Sequence, residues 1–486
     1  MLGNNTNTSM RASDFEGWVQ GPDTRGTLDI IWSCVAVLVT ALWTVLHLNI
    51  PGEGDGLRHL FARKFRWGCA SILAPDFLTL VAASQWDAAK KSVAEMRGLK
   101  EVEDDNSKWC MEHAFYANSG GFLLKCSDTD AFPIDAHAVH YLVSREYIRL
   151  PAITRDEVWD KSKADLFAKA ATVVQSAWLI IGSIGRAASG LPLSPMETFT
   201  LAFIVSTVMS YFFWWRKPQN VETPALILCE HTMAKIRGDA GLAAHSWERS
   251  PLEFIDLAHK KWKRRTIFDD APNRASRKRV PDLEDKAACS SLASTLSVAT
   301  SPSRVDSNGT LLPTVAEKQL PPRIYDDAIL PGGLSPLVLL SVALPSMVHS
   351  AIHLLGWNFE YPTTAEKQLW RSASVVLNVM AAISVGGVRA LTLSGYQGRF
   401  NLIYIWVNNA ATRPQDDADE NEGAGGKARE DRWWKSLGFW DAFLTFTTLC
   451  LLVARFAIIA EVLISFRKLP KKVFVTVNWV DFIPHV

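Results

Sequence analysis

His349 and His353 stand four residues apart in LSPLVLLSVALPSMVHSAIHLL (334–355), a stretch without Lys, Arg, Asp or Glu. On a helix that spacing puts both imidazoles on one face, within reach of one metal ion or one shared polar partner. Two ligands do not complete a metal site, so interhelical hydrogen bonding competes with metal binding. A second pair, His137 and His140 in FPIDAHAVHYL beside Asp135, is spaced by three. An amphipathic helix explains that pair as well as a metal would. His113 follows Glu112 in EHAFYANSGGF and precedes Gly120 and Gly121. Adjacent glycines allow close backbone approach, for helix packing or for a bend around a ligand.

Charges inside apolar runs form the third group: Asp76, Arg186, Arg389, Arg455 and Glu461. Arg455 lies deep in LLVARFAIIAE, where an isolated guanidinium costs at least roughly 2.5–3.5 kcal/mol in a bilayer. It must face a bundle and meet an acid. Glu461 sits on another helical face, which leaves Asp76 or Glu366 as partner. His113, His353 and Arg455 are thus candidate catalytic residues, with a structural ion pair as the alternative for Arg455. The chain lacks GxxxxGK[ST], GxGxxG, HExxH and GxSxG, so phosphate-loop, dinucleotide, zincin and α/β-hydrolase chemistry has no foothold. The absence of a cofactor is favoured over a metal.

The elements that carry these residues are apolar runs of bilayer length. The clear ones are 28–48, 167–186, 197–215, 334–355, 372–392 and 437–464; about 20 apolar residues suffice to cross. Two further runs, 67–84 with Pro75 and Asp76, and 109–126 with Glu112 and His113, read as short crossings or re-entrant helices. Averages hide this segregation: 486 residues, 48% hydrophobic, 21% charged, net charge +1. Nineteen Trp, many at the edges of apolar runs, fit interfacial aromatic belts. The expected fold is an all-α polytopic transmembrane bundle with long, partly disordered loops. It divides into a polar lumenal N-terminus (1–27), a membrane region (28–215), a basic then Ser-rich loop (216–333), a second membrane region (334–466) and an aromatic tail (467–486).

RHLFARKFR (58–66), KKWKRR (260–265) and RKR (277–279) place their loops in the cytosol and the N-terminus in the lumen. Asn4 and Asn7, in two N-x-[ST] sequons, are then glycosylation candidates. RKLPKK (467–472) conflicts with that orientation, since the crossings send it to the lumen. The basic loop lacks aromatic interleaving and suits anionic headgroups rather than nucleic acid. Residues 281–330 (Ser, Thr and Pro-rich) and 413–431 (acidic, Gly-rich) read as disordered linkers. The seven cysteines form no CxxC pair; Cys34, Cys69 and Cys450 lie in apolar runs as free thiols, and a Cys110–Cys126 disulfide is a weak alternative.

HLNIP (47–51), HAFYANSGGF (113–122), WWRKPQNV (214–221), IHLLGWNFEYPTTAEKQLWR (352–371) and NWVDFIPHV (478–486) occur in this order along the chain. In that order they resemble a family of polytopic membrane proteins of filamentous fungi that has no agreed activity. The resemblance implies an endomembrane (ER) or plasma-membrane protein. His47, His113, His353 and His485 match its motif positions; His349, Asn118 and Ser119 depart from them. Trp479 and Phe482 in the closing motif are amphipathic anchors expected to dock on the bundle or the interface. The favoured function is a non-enzymatic scaffold, receptor or accessory protein, with the lipid bilayer and loop-recruited proteins as partners. The alternative is a membrane-embedded enzyme acting on a lipophilic small molecule of secondary metabolism. No inverted repeat supports a transporter.

Overall fold

The computed structural model describes residues 15–21, 24–52, 55–103, 108–162, 166–243, 250–258, 324, 336–394 and 439–479. Asn4, Asn7, His485, Phe482, the linker 413–431 and almost all of 281–330 lie outside the described residues, as does the side chain of Arg389.

Apolar runs become helices, as their length dictates. The long ones are α1 (Thr27–Val45), α2 (Leu57–Leu73) and α3 (Pro75–Met96). Shorter helices α4 (Met111–Asn118), α5 (Ala136–Ser144) and α6 (Arg155–Asp160) follow, then the long α7 (Leu166–Ala188) and α8 (Pro195–Trp214). After them come α9 (Met233–Asp239), α10 (Glu253–Ala258), α11 (Pro336–Ile352), α12 (Thr364–Ser394) and α13 (Phe439–Ser465). Among the described residues, five helices are long and apolar enough to cross a membrane: Thr27–Val45, Phe167–Ala188, Pro195–Trp214, Leu340–Asn358 and Phe446–Ser465. The run 372–392, expected as a crossing, lies inside the 31-residue α12, which is not among these five. The expected run 67–84 is instead divided between α2 and α3, which meet at a 113° bend. Pro75 starts α3 at a position where a missing N–H costs nothing.

Helix α8 occupies the middle of the bundle, against α1, α3, α11 and α13. Ser194 caps it and Glu197 returns a bond to the Ser194 N–H (2.8 Å), a reciprocal pair that starts the helix sharply. Its buried hydroxyls turn inward on their own helix: Thr200 donates to the Met196 carbonyl (2.8 Å), Thr207 to Phe203 (3.0 Å) and Ser210 to Ser206 (2.9 Å). Small, self-satisfied side chains let neighbouring backbones approach.

The fold is mostly helical, not all-α. A three-stranded sheet forms from β2 (Phe122–Lys125), β3 (Phe132–Ile134) and β4 (Ala225–Leu228), with β2 central, antiparallel to β3 and parallel to β4. Two end strands, β1 (Phe15–Glu16) and β5 (Leu469–Pro470), pair antiparallel. Segment 109–126, read as a possible crossing, is therefore helix α4 plus strand β2. Its apolar content serves the core of an α/β cap built from α4, α5 and the sheet, with Phe115, Tyr116, Phe122 and Phe132 buried together. Gly120 takes the left-handed φ of +84° that ends α4. At Gly121 a Cβ would fall 2.4 Å from the Tyr116 ring. The glycine pair thus serves a helix stop and a ring contact, not packing between helices.

The described C-terminal stretch is tied down. Arg186, buried in α7, donates to the carbonyls of Val475 (2.8 Å), Val473 (2.9 Å) and Pro192 (2.9 Å). Trp479 packs on Trp178 with ring centroids 5.9 Å apart, where Gly185 leaves room for it. The tail docks on α7 as far as it is described.

Candidate functional site

Three buried polar centres emerge, and the first gathers the candidates from the apolar runs. Arg455 on α13 is 3% exposed, and its Nη2 donates to His349 Nε2 while Nη1 faces His353 Nε2 at 3.4 Å. His349 Nδ1–H donates to the Ala202 carbonyl (2.7 Å), and His353 Nδ1–H to the His349 carbonyl (3.1 Å). These bonds assign both imidazoles as neutral, protonated on Nδ1, with the Nε2 lone pairs aimed at one guanidinium. Asp76 at the start of α3 bonds Ser346 and shares the field of Arg455. Among the described residues no acid stands within ion-pair distance of Arg455: its direct partners are the two imidazoles, Asp76 only shares its field, and Glu366 pairs with Arg467. The Arg455 Nε is buried without a hydrogen-bond partner among the described residues, and the guanidinium lies 5.9 Å over the Phe199 ring.

That geometry bears on the metal candidates. The lone pairs of His349 and His353 that would hold a cation already face a cation. A metal ion there would have to displace the guanidinium and meet its charge. His137, half-buried on α5, lies 3.7 Å from Glu95, and His140 is half-buried one turn on. Among the described residues no three His, Cys, Asp or Glu side chains are grouped to hold a metal. Cys110 and Cys126 are free thiols, not a disulfide.

The second centre is the cap core around His113. Its Nε2–H donates to the Ile153 carbonyl (2.9 Å), its Nδ1 accepts from the Cys110 N–H (3.1 Å), and its ring stacks on Trp109 at 5.8 Å. Beside it the buried carboxylate of Glu112 meets Arg155 at 3.1 Å and Arg216 at 3.9 Å. His113 and the Arg455 centre are therefore separate sites; the fold does not unite the candidate catalytic residues. Burial depresses the His113 pKa below its ordinary 6.5, with the Ile153 bond and Glu112 opposing. The unfolded chain then binds the extra proton first, so the cap loses stability as pH falls below about 6.5. Thermal midpoints between pH 5 and 8 should slope downward toward acid, and H113Q should flatten that part of the slope.

The third centre was not singled out by residue type. Lys217, 2% exposed, donates to Asn49 Oδ1 (2.9 Å) and Gln85 Oε1 (2.9 Å), and Trp214 Nε1 also donates to Gln85 (3.0 Å). Gln219 Nε2 donates to the Thr44 carbonyl (2.8 Å). His47 Nδ1–H donates to the Val45 carbonyl (2.8 Å), and its ring packs on Trp214 at 5.6 Å. HLNIP and WWRKPQNV are thus two halves of one junction that joins α1, α3 and α8 to the cap. The available signal was a Lys between a Trp pair and a Pro at the end of a long apolar run.

A match over residues 1–304 and 337–486 places these three centres within one recognised family. The chain belongs to DUF8562, a family of unknown function. The unmatched residues 305–336 fall largely in the Ser-rich stretch, while every centre described above lies in matched segments. No curated protein and no solved structure matches the chain. In this DUF8562 member, one more buried acid stands apart: Glu461 is 0% exposed, and neither carboxylate oxygen has a hydrogen-bond partner among the described residues.

Proposed function

We propose that this chain is a multi-pass protein of a fungal membrane that carries its α/β cap on the cytosolic side. There it acts as a non-enzymatic scaffold, receptor or accessory protein. One observation carries the reading: the candidate reactive groups are consumed in holding the fold. His113 bonds two backbone groups, and His349 and His353 each spend both ring nitrogens, one on a carbonyl and one on Arg455. The membrane part is supported by side chains turned outward from the bundle, among them Trp32, Phe167, Trp178, Phe212 and Val453. Water is a poor medium for so continuous an apolar exterior.

A second reading, a membrane enzyme acting on a lipophilic molecule, is favoured by the unpartnered Arg455 Nε beside two imidazoles. Complementation separates the two. In a strain lacking the gene, a D76N/R455M variant that is made at normal level should restore the phenotype if the centre is structural. Failure by a folded, membrane-inserted variant would favour the enzyme. Resistance of the wild-type chain to alkaline carbonate extraction tests membrane insertion; release into the supernatant would overturn it.

A further inference from the structure

We propose that α2 is an interfacial helix whose N-terminal half lies in the headgroup layer and binds anionic lipid, an inference that rests on the membrane reading. Leu57, Phe61 and Phe65 recur every fourth residue and are 85%, 63% and 62% exposed, so this helix turns an apolar stripe away from the protein. Phe61 and Phe65 stack on each other at 6.5 Å. The opposite face is the one that packs: Trp67 and Ala70 are buried, and buried Arg63 donates to the Asn49 carbonyl (2.6 Å). An outward apolar stripe needs a cover.

The charge pattern and the bend identify that cover. Residues 57–73 hold Arg58, His59, Arg63, Lys64 and Arg66 and no acid. Arg58 and His59 are exposed beside the stripe, while Lys64 lies 4.4 Å over the ring of Trp43, an outward-facing residue near the end of α1. The basic edge of α2 therefore adjoins the outward face of α1. The 113° turn into α3 makes the chain double back. We take α3, which packs along α8, as parallel to the bilayer normal. A helix of 17 residues, about 25 Å long, then reaches only about 10 Å along that normal at this angle, less than the ~15 Å of one hydrocarbon leaflet. Hence α2 slants through one leaflet rather than crossing. Its basic half stays at the surface, and its uncharged end, GCASIL (68–73), dips toward Asp76. Acyl chains cover Phe61 and Phe65, and anionic headgroups meet Arg58 and Lys64. A protein partner would need an acidic, apolar groove of matching pitch; the headgroup layer offers both chemistries without one.

Two measurements on the full-length, detergent-purified protein test this. Short-chain phosphatidylserine, titrated in, should raise the thermal midpoint, whereas phosphatidylcholine should not. R58Q and K64Q should each weaken the phosphatidylserine effect roughly fivefold. For depth, a fluorophore is placed by amber suppression at position 61 or 453, and the protein is reconstituted into nanodiscs containing brominated lipid. Quenching at both positions, shallower at 61, is the expected result. Quenching at 453 with none at 61, or equal response to the two lipids, overturns the assignment of α2 while leaving the membrane reading intact. Quenching at neither overturns both.

Discussion

Arg455→Met should destabilise the bundle by several kcal/mol, at about 1–3 kcal/mol for each buried acceptor left without its donor. The reason is the residue left behind. Asp76 shares the field of Arg455, and among the described residues one of its carboxylate oxygens already lacks a hydrogen-bond partner. Without the guanidinium that carboxyl loses its neighbouring cation, and the His349 and His353 Nε2 lone pairs lose their donor. Asp76→Asn should cost less, because Arg455 keeps two imidazole acceptors. The double variant D76N/R455M removes both charges together and should be more stable than the sum of the single losses requires. Thermal unfolding of the four detergent-purified proteins gives the coupling. A value under about 0.5 kcal/mol is ordinary additivity and would show that the two side chains do not act as a pair.

Trp370→Ala should be as damaging, at about 3–5 kcal/mol, the usual loss for emptying a buried aromatic site. Trp370 is 0% exposed and packs near Phe359, Tyr361 and His353, with ring centroids 6.5, 6.3 and 6.2 Å away. Its Nε1 donates to the His353 carbonyl at 2.9 Å, so the ring also fixes the backbone that presents His353 to Arg455. Trp370→Phe should separate the two roles: most of the packing returns, but the indole bond does not, leaving a deficit of about 1–2 kcal/mol. Gly356 makes the same contact visible from the other side. A Cβ at this position would stand 2.4 Å from Trp370 Nε1, and Gly356→Ala should cost about 1–3 kcal/mol through overpacking. Equal thermal midpoints for wild type and G356A would mean that the indole has another place to go.

The metal idea illustrates why spacing alone was insufficient. An i, i+4 histidine pair on a helix says that two imidazoles share a face, and they do. What that face meets is a property of α13, about a hundred residues away in sequence. The answer was a guanidinium, which inverts the electrostatics a metal would need. His113 and His353, grouped as one candidate set on residue type, lie in different parts of the fold for the same reason.

Local patterns determined most of the helices. The runs 28–48, 167–186 and 197–215 became Thr27–Val45, Leu166–Ala188 and Pro195–Trp214, because apolar content over twenty residues is a one-dimensional property that a helix satisfies with its own backbone bonds. The need of Arg455 for a buried polar partner was also legible, but in place of the expected acid the guanidinium directly meets His349 and His353. Segment 109–126 was misread because the apolar core of a small cap has the same composition as a crossing. Its strand β2 pairs not only with the nearby β3 but also with β4, about a hundred residues on and beyond the α7–α8 hairpin. Tertiary structure alone decided that pairing, the setting of His349 and His353 against Arg455, and the meeting of HLNIP with WWRKPQNV. In each case the partner is distant in sequence, and no local periodicity encodes which distant partner a side chain will meet.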